Sequence, residues 1–117
     1  MALNLANTAT IAPKTVGQAI TTTTTAIASN GAASGKILKI NSLYISNVNG
    51  SAAATVNVEV YKNATTSYRI AHLVSIPAGA ALSIIDKVLY LEENDSLRLT
   101  ASANSYLEAV CSYEDLS

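Results

Sequence analysis

Few side chains in this 117-residue chain can do acid–base, nucleophilic or metal chemistry, and their spacing limits what they can do. The one histidine, His72, falls in phase with Ile70 and Val74, and no second His, Cys or acid stands at metal-ligand spacing from it. It reads as a packed or rim residue of a strand. The one cysteine, Cys111, alternates in phase with Leu107, Ala109 and Tyr113, which marks a small core residue rather than a nucleophile. Glu92-Glu93-Asn94-Asp95 offers hard oxygen ligands of the kind Ca²⁺ takes, but lacks the spaced acidic loop that wraps a cation. It reads as a solvated hairpin loop between Tyr90-Leu91 and Leu97. Six tyrosines, at 44, 61, 68, 90, 106 and 113, could stack on a sugar or a base, yet no basic residues interleave them. They read as buried area for a core without Phe or Trp, each hydroxyl reaching the rim. No Ser-His-acid spacing, glycine-rich phosphate loop or paired general acid and base is present. The chain therefore reads as no enzyme, with no cofactor and no metal.

The composition narrows the classes further. Charged residues are 13% of the chain, against a usual ~25%, and Ala, Thr, Ser and Asn make up close to half of it. A net charge of −1 with seven Lys and Arg gives no footprint for a nucleic-acid backbone. The most apolar window, Leu82–Leu91, is broken by Asp86 and Lys87 and is too short to span a bilayer, so no membrane contact is expected. The N-terminal stretch lacks the basic and apolar regions of a secretory signal, which suggests synthesis in the cytoplasm.

The elements that must position these residues follow a period of two. Thr55–Tyr61 puts Val56, Val58 and Val60 on one face and Asn57 and Glu59 on the other. Lys36–Asn47 is rich in Ile and Leu; Tyr68–Ile76 places Ile70, His72, Val74 and Ile76 together. Leu82–Leu91, Ser96–Ser102 and Tyr106–Tyr113 follow, separated by turn residues at Asn49-Gly50, Pro77-Ala78-Gly79 and Glu92–Asp95. Val16–Ala28, with its five threonines 21–25, completes about seven strands as an extended run of β-branched residues. The sequence predicts an all-β fold: one antiparallel β-sandwich, Ig-like or jelly-roll-like, over residues 17–117. Its expected core is Val56, Val58, Val60, Ile70, Val74, Leu97, Leu99, Leu107 and Ala109.

Residues 1–16 stand apart as an extended N-terminal arm with a single charge, Lys14. Backbone ordering costs ~1–2 kcal/mol per residue, more than a few Ala and Leu contacts offset in an isolated segment. The arm is therefore expected to be mobile in the free protein and ordered against a neighbour in an assembly. Leu3, Leu5, Ile11 and Val16 are the candidate assembly contacts.

From about Ala52 onward, specific residues carry a likeness. Val56-Asn-Val-Glu-Val-Tyr61, Ile76-Pro-Ala-Gly79, Tyr90-Leu-Glu-Glu-Asn-Asp-Ser-Leu-Arg-Leu-Thr-Ala101 and Val110-Cys-Ser-Tyr-Glu114 together resemble small virion structural proteins of tailed bacteriophages, the cyanophage group especially. Asn94 stands where Gly is common in that group, and both tolerate the left-handed backbone. The resemblance implies a viral structural protein located in the virion, with other phage structural proteins as partners, either the major capsid protein or neck and tail proteins. It implies many symmetric copies or a homo-oligomer. Within that class the neutral arm favours a capsid decoration (cement) protein over a neck, head–tail connector, tail or fibre subunit. A reading from another class is a carbohydrate-binding host-recognition module using exposed tyrosines.

Overall fold

A computed structural model of the chain describes residues 10–117. The fold is all-β and antiparallel, as the period of two implies. Among the described residues there are nine strands: β1 (Ile11–Ile20), β2 (Thr25–Ser29), β3 (Ile37–Asn47), β4 (Ala54–Lys62), β5 (Thr66–Ile76), β6 (Ala81–Ile85), β7 (Leu89–Leu91), β8 (Ser96–Ala101) and β9 (Leu107–Leu116). One sheet runs β1-β9-β3-β6, with β7 also paired to β3; the other runs β2-β8-β4-β5. Both β6 and β7 lie along β3, through Leu43↔Ile85 and Ile40↔Leu89, so together they act as one strand interrupted at Asp86-Lys87-Val88. Counted that way the sandwich has two four-stranded sheets in jelly-roll order, which settles between the two sandwich types left open by the sequence.

Alternation places the core between the sheets. Val56, Val58, Val60, Leu97, Leu99, Leu107 and Ala109 are buried as expected, joined by Ile20, Leu38, Ile40, Leu43, Ile45, Ile76, Leu91 and Cys111. Ile70 departs from expectation: it is 42% exposed, and Val74 is only partly buried. The cause is a pair of bulges. Pairing runs Glu59↔Arg69 but Val58↔Ala71, then Val56↔Val74, so β5 carries extra residues at two places. Each bulge shifts the phase of the alternation. Ala71 and Ile76 turn inward, while His72 and Leu73 are exposed. Leu73 has φ +53°, and its N–H donates to Asn57 Oδ1 at 2.7 Å, which fixes the kink.

The single expected strand Val16–Ala28 is two strands in different sheets. Thr21–Thr24 is the corner between them rather than extended strand. Its hydroxyls compete with ladder bonding. Thr21 Oγ1 donates to the Thr23 carbonyl at 3.0 Å, Thr24 and Thr100 hydroxyls pair at 2.7 Å, and the Thr22 N–H donates to Asn104 Oδ1 at 2.9 Å. Beside the corner, Gln18 Nε2 donates to Thr25 Oγ1 at 2.9 Å and ties β1 to β2.

The expected boundary between arm and body, at residues 16 and 17, falls inside a strand. β1 begins at Ile11 and pairs residue for residue with β9, from Ile11↔Leu116 to Ile20↔Leu107. Ordering of residues 11–16 thus comes from an intramolecular ladder and needs no neighbour. Residues 1–9, with Leu3 and Leu5, lie outside the described residues.

Candidate assembly surface

Two buried asparagines hold the two ends of the sandwich. Asn47, at the end of β3, donates through Nδ2 to the carbonyls of Ala52 and Ile76 and accepts the Asn49 N–H. At the opposite end Asn30 donates to the carbonyls of Lys36 and Leu91 and accepts from the Ser34 hydroxyl. Each satisfies loop carbonyls that would otherwise be buried unpaired.

The acidic run Glu92–Asp95 belongs to the Asn30 end, and it is not a hairpin loop. β7 pairs with β3 in one sheet and β8 with β2 and β4 in the other, so the run carries the chain between sheets. Nor is it simply solvated. Asp95 is 2% exposed and accepts from Lys62 Nζ at 2.7 Å, the Asn63 N–H at 2.9 Å and the Glu92 N–H at 2.9 Å. Burial pushes its carboxyl up, but the Lys62 ammonium and the two N–H donors outweigh burial and hold it below the ordinary carboxylate range. The same hydrogen bond raises Lys62 above its usual value. Asp95 is therefore a knot joining the β4–β5 turn to the β7–β8 crossing, and its oxygens are already committed to donors. Among the described residues no group of three or more His, Cys, Asp or Glu side chains is placed to hold a metal ion.

The remaining buried acids are engaged in the same way. Glu59 accepts from Arg98 Nη2 at 2.8 Å, and Arg98 lies 3.9 Å from the Tyr61 ring centroid. The Ser67 hydroxyl and the Arg98 guanidinium beside Glu59 hold its carboxyl below the ordinary value, against the push of burial. Asp115 faces Lys36 at 3.2 Å and Lys14 at 3.6 Å, which staples β1 and β3 to β9. Cys111 is fully buried, and burial pushes its thiol up to about 11, so it is inert in the folded chain.

Among the described residues, Arg98 Nε and Asp115 Oδ1 are buried without a hydrogen-bond partner; the large side chains left on the surface are apolar. The two sheets close against each other along the β1–β2 margin, through the threonine corner. At the other margin, where β5 carries its bulges and the β6–β7 line is interrupted, an open pocket of about 230 Å³ lies between β5 and that line. Ile70 and the stretch from Ile84 to Leu89 line it, Asp86 and Lys87 included. Tyr68 and Leu73, about 60% exposed, stand on the same strand β5, at 61% and 59%.

Of the expected contact residues, Ile11 is 63% exposed on the edge strand and Val16 packs partly against the core. The structure does not bring them together with the pocket, which lies at the opposite margin. The tyrosines are divided: Tyr44 and Tyr90 are exposed on the first sheet, Tyr68 on β5, while Tyr106 and Tyr113 pack against the core. The pocket escapes a reading of the sequence because its walls come from β5 in one sheet and the β6–β7 line in the other. The one local signal is the Asp86-Lys87 interruption of an otherwise apolar run.

No protein-family model matches the chain, and a search of curated proteins gives no significant match. Among solved structures, one from the Bacillus endospore appendages, described as a novel family of disulfide-linked pili, is similar in fold. The TM-score is 0.56 at 14% identity, over 92% of this chain and 87% of that one. At that identity the likeness is one of architecture, a sandwich shared with a chain taken from a polymer.

Proposed function

We propose that this chain is a non-catalytic structural subunit that works by packing, in many copies, into a repeating assembly, and that the assembly is the particle of a tailed phage, with the chain as a capsid decoration protein. The observation that carries the first part is the contrast between charge and surface. The buried acids are engaged inside the fold, while large apolar side chains, Tyr44, Tyr68, Ile70, Leu73, Val88 and Val110, face outward. Exposed aromatic and aliphatic groups on a weakly charged surface suit protein interfaces better than solvent. A fold shared with a chain from pili supports an assembly role, and jelly rolls are common among viral capsid proteins. The appendages are named as disulfide-linked; the one cysteine here, Cys111, is buried, so contacts in this reading are non-covalent.

The phage assignment rests on the framework resemblance over the last 65 or so residues. Its test is to quantify this protein by mass spectrometry on purified particles with and without tails. Decoration predicts tens to hundreds of copies that remain when tails are removed. A few copies lost with the tails would make it a tail-tip or fibre component, and absence from particles would overturn the virion reading.

A further inference from the structure

The chain carries the dipeptide Asn-Gly twice, at Asn30-Gly31 and Asn49-Gly50, one toward each end of the sandwich. In such a pair the glycine nitrogen can attack the side-chain amide of the asparagine before it, because glycine has no Cβ to hinder the closing ring. What holds the asparagine decides whether it does, and the two sites are held in opposite ways.

Asn30 is 4% exposed, and its amide donates to the carbonyls of Lys36 at 2.9 Å and Leu91 at 3.0 Å. Its backbone is clamped as well: the N–H donates to the Asp95 carbonyl, and its own carbonyl accepts the Asn94 N–H. Ring closure there would break these bonds inside the fold. Asn49 is only partly buried, and Gly50 is exposed. Among the described residues, Asn49 Nδ2 and the Gly50 N–H donate to no protein acceptor, so both the leaving group and the attacking nitrogen are free. The side-chain oxygen is held instead. Asn49 Oδ1 accepts from the Ser51 N–H at 2.8 Å, the Ser51 hydroxyl at 3.0 Å and the Ala52 N–H at 3.0 Å. The two backbone donors settle which end of the amide is the oxygen. Donors gathered on a carbonyl oxygen stabilise the negative charge it gains when a nucleophile adds to its carbon. Turning the Asn49–Gly50 peptide for closure costs the bond from the Gly79 N–H to the Asn49 carbonyl, 3.1 Å long.

We propose that Asn49 is a site of spontaneous deamidation in the folded chain, through a cyclic imide with Gly50, and that Asn30 is protected by the fold. The Gly50 nitrogen gives its proton to hydroxide and bonds to Asn49 Cγ; the Cγ–Nδ2 bond then breaks, and ammonia leaves with a proton from water. Water next opens the imide. Cleavage between Cγ and the nitrogen leaves aspartate at position 49, and cleavage at the backbone carbonyl carbon leaves an isoaspartyl link. One water is consumed and one ammonia released, and either product adds a negative charge to this end of the sandwich. The chemistry needs no partner and stands apart from the assembly reading.

In the test the full chain is incubated at mildly alkaline pH, quenched and digested in acid, and each asparagine is read by mass spectrometry. Asn49 should exchange amide for acid at a rate that rises with pH and is at least tenfold that of Asn30, whereas in urea the two should react at similar rates. Equal rates at the two sites in the folded chain would overturn the proposal. Gly50→Ala puts a Cβ into open space at a φ that is not left-handed, so it should melt with the natural chain. It should nevertheless slow the reaction at Asn49 at least tenfold, and an unchanged rate would also overturn the proposal. Ser51→Ala, at an exposed position, removes the hydroxyl donor and should slow Asn49 several-fold in the folded chain but not in urea. No slowing would overturn the part assigned to the donors.

Discussion

The two long margins of the sandwich are built on opposite principles. Along β1 and β2 the chain crosses from sheet to sheet through Thr21–Thr24, and the seam is closed by hydroxyl and amide hydrogen bonds, Gln18 to Thr25 and Thr24 to Thr100. Along β5 and β6–β7, among the described residues, no side-chain hydrogen bond joins the two sheets, and Ile70 and Val88 are 42% and 47% exposed. Both margins enclose the same core, but only the first is tied across by side-chain hydrogen bonds. Stability should thus reside in the core, the end knots and the closed margin more than in the open one.

The largest effect should come from the core that both margins share. Val58 is fully buried, and Val58→Asp places a carboxylate there without a partner. The variant should be unfolded by circular dichroism at room temperature. A native-like melt would place the core on the wrong face of β4.

Next comes the Asp95 knot. Asp95→Asn weakens the hydrogen bonds that Lys62, itself 41% exposed, and two N–H groups make to the buried carboxylate, and chemical denaturation should show a loss of about 2 kcal/mol. The pH dependence has a definite sign. The Asp95 carboxyl is held below its unfolded value, so its contribution is complete above pH ~4 and is lost as pH falls through the depressed folded value. The natural chain should lose stability in that acid window, and Asp95→Asn should lose less there. An identical acid slope in both proteins would show that the knot contributes nothing through its charge.

A smaller effect is expected at the closed margin. Gln18→Ala removes one side-chain hydrogen bond to Thr25 and should cost ~1 kcal/mol in thermal or chemical melts. The smallest belongs to the open margin. Ile70→Ser and Val88→Ser should each change stability by no more than ~0.5 kcal/mol, because neither side chain is covered in the single chain. A loss of 2 kcal/mol at either position would mean that the pocket is part of the core, and the contrast between margins would fail.

How much of this is legible in the sequence depends on regularity. β8 alternates throughout, β4 as far as Val58 and β9 as far as Cys111, and the inward residues read from them, Val56, Val58, Val60, Leu97, Leu99, Leu107 and Ala109, are buried. β5 misleads because a bulge is an extra residue, and nothing local in Arg69–Val74 marks where the phase slips. The threonine run misleads for another reason: β-branching favours strand, but the hydroxyls cap a corner equally well, and Asn104 on a distant loop decides between them. Asp95 looks like one more loop acid until Lys62, 33 residues away, is beside it. The resemblance to virion proteins follows framework positions such as Pro77-Ala78-Gly79, so it speaks to the shape of the body and not to the pocket.

The placement of β9 also bears on when this molecule can exist. It is the last strand in the sequence, yet it lies between β1 and β3 in the middle of the first sheet, with Asp115 stapled to Lys14 and Lys36 on either side. Until Leu107–Leu116 has left the ribosome, β1 and β3 have no shared neighbour, and the pairing that completes the sheet joins distant parts of the chain. Such non-local topologies fold slowly, after the long loops have closed. While that strand is still within the ribosome the inward aliphatic faces of β1 and β3 stay unmatched, and the sandwich forms only once it is free. In the assembly proposed above, synthesis and incorporation would be separated in time, because a chain still missing β9 has no finished sandwich to pack.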